Sequence, residues 1–409
     1  MKRYLWLVLI LTVMLTIFTG CYTDDFLSGY GGTSSSSDPA DGLNYELSAD
    51  QTGYCITEQS SFNGSDLIIP DTYNGLPVTE IKNFAFYNCS DLLRVTIGKN
   101  VKNIEDSAFY ECNNIEAVTF NAVSCNDFVS SPFDGLGSNI SGGATVIIGK
   151  DVERIPDYLF GAGEFDLTQI SVGSLIFEDG SKCKEIGNYA FSRSLDCSSL
   201  TFPEGLVSIG ENSFASSNNL LQVTLPQSLV TIGYDAFLNC FKLVEIYDLS
   251  PIDIQIGNME NGRIGYDAIA IHYDVAESSV MTETEGFVFI TREGKNHLLA
   301  YIGEENNVTL PADYQNAAYA IDDYAFYYSK IESVVIPSCV NGIGFCAFRG
   351  CFDLKYATFE DPYGWKYGSV YTVRSFESEA LKDTVMAAQM LGGGSSLNIY
   401  SYDTERWYK

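Results

Sequence analysis

Between Ile186 and Phe237 the apolar positions fall on a fixed comb. The chain reads IGNYAF, IGENSF and IGYDAF from Ile186, Ile209 and Ile232, so one phrase returns every 23 residues. The residues between phrases keep the same step. Counted from the Phe, Cys197 and Leu220 stand at +6, Leu200 and Val223 at +9, Phe202 and Leu225 at +11, and Leu206 and Leu229 at +15. A period in the twenties with a constant comb predicts a solenoid, because one such coil cannot bury its apolar side alone and must share a core with its neighbours. After each phrase comes a stretch such as LLRVTIG (92–98) or LLQVTLP (220–226), whose β-branched alternation predicts a strand. The phrase itself predicts a short helical turn on the opposite side, with its Phe as the core wedge.

The phrase also opens coils at Ile81 (IKNFAF), Ile104 (IEDSAF), Ile155 (IPDYLF), Ile321 (IDDYAF) and Ile343 (IGFCAF). Two spacings are long. Ile104 and Ile155 lie 51 residues apart, and the Gly/Ser/Asn-rich stretch 121–143 between them is expected to loop out of the solenoid. Ile232 and Ile321 lie 89 apart, and the period fails over 248–320. There a hairpin around 292–296 is followed by a Pro-to-Ile stretch, Pro311 to Ile321, that matches Pro70 to Ile81 near the start. The insertion is therefore expected to carry a second starting unit.

The ends are expected to be different in kind. Residues 1–20 join Lys2 and Arg3 to an apolar run and small residues, the composition of a signal peptide. FTGC resembles a lipobox, which makes Cys21 the expected acylated residue, and the Gly- and Ser-rich 21–42 the tether. A capping unit with a hairpin follows at 43–80, then a first block (81–247), the insertion (248–320), a second block (321–360) and a C-terminal cap (361–409). In the last, 376–391 has helix-forming composition and Gly392–Gly394 stops it.

A formal charge of −30, from 23 basic and 53 acidic residues, argues against a nucleic-acid partner, which needs basic surface. The 11 cysteines suggest disulfides in an exported chain, but the register says otherwise. Cys89, Cys112, Cys240 and Cys351 each stand three after the repeat Phe, where other coils carry Ser194, Ser217 or Ser329. That is a core column of small side chains, whose neighbouring members could oxidise. With no CxxC, zinc is not expected.

An enzyme needs convergent polar groups, and none stands out. His272 and His297 lie in the insertion without HExxH or a Ser/His/Asp pattern. The Gly135–Gly137 GxG lacks strand–helix context. Asp253, Glu260, Asp267 and Asp274 could hold calcium loosely but lack EF-hand spacing. No cofactor or metal is expected.

The phrase I-G-x-x-A-F-x-x-C, followed by a strand ending I-P and returning after 23 residues, resembles the BspA-like leucine-rich-repeat surface proteins over roughly 43–357. The resemblance implies an α/β fold: a leucine-rich-repeat solenoid of stacked parallel strands with short helical turns and β-hairpin caps. It also implies a bacterial lipoprotein at the cell surface, held to the membrane through Cys21. Its expected function is non-catalytic and adhesion-type, binding an extracellular protein or glycan, with a glycan-processing enzyme using the insertions as an active rim as the alternative. Departures are LF in place of AF after Ile155, coils lacking the Cys, and the two long insertions. The expected partner-binding residues lie outward on the strands: Arg94, Gln222, Glu245 and Tyr356 beside a ladder of Thr96, Thr119, Thr201 and Thr224, with Thr358 in the same place. The insertions offer Phe128, Phe133 and Tyr266 as aromatic anchors.

Overall fold

The computed structural model describes residues 43–58, 64–162, 169–369, 372–376, 379–392 and 405–409. The expected leader, Cys21 and the tether lie outside them. Coils stack through three parallel sheets. Asp66–Ile68, Arg94–Ile97, Ala117–Phe120, Ala144–Ile148 and Val172–Phe177 form the first. Ser199–Thr201, Gln222–Leu225, Glu245–Asp248 and Ala270–His272 form the second, and Asn307–Thr309, Ser333–Ile336 and Tyr356–Phe359 the third. On another side of each coil the phrase Ile ends a short strand. Arg154–Ile155, Glu185–Ile186, Ser208–Ile209 and Thr231–Ile232 pair in parallel with Ile opposite Ile.

The repeat Phe residues stack face on face inside. Centroids are 5.1 Å apart for Phe86/Phe109, 5.6 Å for Phe191/Phe214 and 5.5 Å for Phe214/Phe237. The phrase turns the chain, but not as a helix. Its fourth residue is left-handed (φ 55° at Tyr189, 51° at Asn212), and so is the second after the Phe (60° at Arg193, 59° at Ser216). Such residues break an i→i−4 ladder, and the amides instead point at the next coil. Tyr189, Phe191 and Arg193 donate to the carbonyls of Glu211, Ser213 and Ala215, each at 2.8 Å. The phrase Gly follows from this closeness. A Cβ on Gly210 would lie 2.6 Å from the Gly187 carbonyl carbon.

The Cys column has a hydrogen-bonding reason as well as a steric one. Cys112, Cys240 and Cys351 donate their thiols to the Phe carbonyl of the preceding coil at 2.9, 3.2 and 2.9 Å. Ser194 and Ser217 donate to the Phe carbonyl of their own coil at 3.1 and 2.7 Å. Either side chain gives a buried Phe carbonyl a hydrogen bond, at Phe191 and Phe214 in addition to the backbone amide three residues on.

The expectation that 121–143 leaves the solenoid is overturned. It is a coil in disguise: Phe128 takes the Ile place, and Phe133 stacks 4.7 Å from Phe109 and 5.1 Å from Phe160. The insertion after Asp248 begins the same way. Phe237 donates its amide to Gly262 at 2.8 Å, Ile254 and Ile264 join the first core, and Ala270–His272 adds a strand beside Glu245–Asp248.

The rest of that insertion is an antiparallel meander, Met281–Thr284, Phe287–Arg292 and Lys295–Tyr301, which pairs in parallel with Tyr319–Ile321. It is buried on both faces. Phe287, Phe289 and Leu298 close the core of the second block, while Val288, Ile290, Leu299 and Ala300 pack on Leu221 and Val244 of the first. A strand covered on both sides reads as a continuous apolar run, hence FVFI. At the far end Arg406–Tyr408 pairs with Val340–Ile343 and buries Trp407. The helix is shorter than its composition suggested, Thr384–Leu391. Asp383 caps the amides of Val385 and Met386, and Gly392 ends it at φ 115°.

Candidate functional site

Strand register decides which expected residues share a face. Thr96 stands opposite Thr119, and Thr201 opposite Thr224, each pair in parallel. The ladder does not run on: Thr119 is followed by Ile147, Thr224 by Tyr247, and Thr358 stands opposite Val335. The Thr residues therefore form two pairs and a single member, because Ile147, Tyr247 and Val335 fill the same place on the adjoining strands of each sheet. Arg94 lies opposite Asp66, and its guanidinium donates to that carboxylate at 2.9 Å, with Glu116 at 3.9 Å. The pair is half-exposed, so it contributes little to stability.

Glu245 is not an outward binding residue. It is fully buried beneath the insertion, where Ser279 Oγ donates to its carboxylate at 2.7 Å, the Val280 amide at 2.9 Å, and His272 Nε2 lies 2.7 Å away. The sequence places Glu245 one period after Gln222, and nothing in that spacing reveals that a later segment folds over it. Phe128 and Phe133 are likewise buried, at 7% and 0% exposure, so they anchor a coil rather than a ligand. Tyr266 is exposed.

The outward residues that stay accessible are Thr96, Thr119, Gln222 and Thr224, half-buried, with Thr201 and Tyr356 exposed. Reading the second block in register adds Asn307 and Ser333, which stand in line with Tyr356 and share a 2.7 Å side-chain bond. Aligning NVTL with SVVI and YATF would have found them.

The histidines serve structure. His272 bridges Glu245 and Glu277 and stacks on Tyr247 at 4.6 Å. His297 lies 3.8 Å from Asp322, and burial holds its imidazole below the usual range. Among the described residues no group of three or more His, Cys, Asp or Glu could hold a metal ion, so the acids at 253, 260, 267 and 274 are not brought together. No helix among the described residues is long and apolar enough to cross a membrane. The insertions, expected in the alternative reading to form an active rim, are spent on a coil and on the joint between blocks.

A sequence model of the BspA-type leucine-rich-repeat region matches residues 57–183, 184–258 and 319–379, in 6 copies and over more than half of the chain. The chain belongs to the BspA-type leucine-rich-repeat family. No curated protein matches it. Among solved structures, this BspA-type chain is similar to a leucine-rich-repeat protein of Bacteroides ovatus, at 19% identity over 79% of this chain and 70% of that one, TM-score 0.35. It is similar to a leucine-rich cell surface protein of Faecalibacterium prausnitzii at 20% identity, covering 77% and 74%, TM-score 0.28. The leucine-rich-repeat protein of T. pallidum matches at 24% identity over 57% and 81%, TM-score 0.27. Membership in the BspA-type family rests on the repeat model.

Proposed function

We propose that this chain is a non-catalytic cell-surface lipoprotein that binds an extracellular protein or glycan through the outward face of its strand ladders. One observation carries the reading. Thr201, Gln222, Thr224 and Tyr356 are presented outward on hydrogen-bonded parallel strands, yet their side chains make no hydrogen bond among the described residues. Polar groups fixed by a rigid backbone lose little ordering entropy when a partner docks, and solenoids commonly bind on such a face. The acidic balance of the chain favours partners that are neutral or basic.

A binding screen of the protein against host matrix proteins and glycans tests the reading. Gln222→Ala/Tyr356→Ala is expected to weaken any partner found at least tenfold with the fold unchanged by circular dichroism. Undiminished binding by that double variant removes the strand face from the proposal. Anchoring is tested apart from binding. Cys21→Ala is expected to lose palmitate label and membrane association, and a variant still sedimenting with membranes refutes lipidation at that residue.

A further inference from the structure

The two blocks meet through apolar residues at the meander, but nearby the joint opens into a polar cleft of about 330 Å³. Asp196, Ser198 and Asn219 line it from the first block, Glu304, Tyr328 and Lys330 from the second. Its size is at the low end of the ~300–1,000 Å³ of small-molecule sites, far too small for a protein partner.

The polar wall has an unusual support. Asp196, Asn219 and Lys242 are the same position in three successive coils, 23 residues apart. Lys242 is buried at 2% exposure, and its ammonium donates to Asn219 Oδ1 at 3.2 Å, its one hydrogen bond among the described residues. Burial pulls its pKa down to about 8. A buried ammonium with a neutral partner is an expensive arrangement, and a coil core does not require it. What it achieves is local: with Oδ1 engaged, the Asn219 amide turns its NH₂ away from the lysine, and that NH₂ makes no hydrogen bond among the described residues. Asp196 accepts from Ser171 Oγ at 2.6 Å through Oδ2, leaving Oδ1 for another donor. Its carboxyl opens on the cleft yet is crowded by protein, and this desolvation pushes it above the usual carboxylate range.

Across the cleft, Tyr328 is held still. Gly350, at φ 80°, lies so near that a Cβ there would sit 2.9 Å from the ring carbons. Tyr327 and Phe352 stand edge-on at 4.6 and 5.9 Å. The ring remains 52% exposed. The side chains of Glu304 and Lys330 make no hydrogen bond among the described residues. An anion would face Asp196 and Glu304, and a cation would face Lys330. A neutral polyhydroxylated ring satisfies both kinds of group, its hydroxyls donating to carboxylate and accepting from amide and ammonium.

We propose that this cleft binds a neutral mono- or disaccharide, with Asn219 and Asp196 on adjacent hydroxyls and the sugar ring against Tyr328. The site is separate from the strand face and stands or falls without it.

Calorimetric titration with glucose, galactose, N-acetylglucosamine, lactose, cellobiose, maltose and chitobiose is the test. At least one is expected to bind with Kd on the order of 1 mM. Tyr328→Ser and Asn219→Ala are expected to weaken it roughly tenfold or more, while Gln222→Ala/Tyr356→Ala leaves it unchanged. Should Asn219→Ala lose its fold by stranding Lys242, Tyr328→Ser, at an exposed position, decides alone. No binding by any of these sugars up to about 20 mM, or full binding by Tyr328→Ser, overturns the proposal.

Discussion

Lys242 shows how much one side chain can disclose. Its folded pKa of about 8 lies below its ordinary value of 10.5. Between those values the unfolded chain binds more protons than the folded one, so stability rises with pH across that window. Below about pH 8 both states are protonated and the burial penalty is fully present, on the order of 3 kcal/mol. Lys242→Met is therefore expected to raise the urea midpoint at neutral pH. Its advantage over the parent should shrink as pH rises past about 8 and vanish only above 10.5, where the parent's lysine is neutral in both states. Equal midpoints at neutral pH would show that the ammonium is better solvated than its 2% exposure indicates. The Phe stack behaves more simply. Phe214 is fully buried between Phe191 and Phe237, so Phe214→Ala should cost about 3–5 kcal/mol in urea denaturation. A change under about 1 kcal/mol would mean that the flanking rings collapse into the gap.

At the scale of the coil, the close stacking that selects glycine in the phrase also brings column residues together. Cys89 and Cys112 are thiols three residues after their Phe, and Cys112 already reaches the Phe86 carbonyl at 2.9 Å. The neighbouring Cys112 lowers the Cys89 thiol, while Cys89 and burial raise that of Cys112. Coils about 4.8 Å apart place equivalent Cα atoms inside the ~4.4–6.8 Å range of a disulfide. Oxidised glutathione is expected to link them, two thiols giving one disulfide and two reduced glutathiones. Peptide mapping should find that bond in the parent and not in Cys112→Ser. A parent that keeps both thiols refutes the pairing. The regular coils were legible from the sequence because Phe, Ile and the column residue recur at fixed offsets. The coil at 121–143 was not, because Phe128 stands for Ile, Pro132 for Ala and Leu136 for Cys. Each swap keeps a buried apolar side chain while erasing the letters of the phrase. The outward face was legible only to the alternation of each strand. That Glu245 faces outward in register and is nonetheless covered depends on a segment 34 residues later, Ser279, which no local period encodes.

For the whole molecule, the meander is what makes two cores behave as one body. Val288→Asp/Ile290→Asp places carboxylates against Leu221 and Val244 without touching Phe287 or Phe289 on the other face. Urea unfolding of that variant is expected to separate into two transitions, one for each block. A single transition shifted as a whole would show that the blocks are coupled elsewhere, for example through Phe241 and Tyr324, whose rings stack at 4.1 Å. The sequence announced a second starting unit in this region but not its double burial, since an apolar run fits one covered face as well as two. The same sheet also sets a timetable. A chain emerges N-terminal end first, at about 5–20 residues per second during synthesis. By Ala268 the first core has every residue it needs, yet Leu221 and Val244 wait, uncovered, until Ala300 arrives. For those 32 residues of chain growth a finished core displays a sticky patch, and that interval is when a holdase has most to protect.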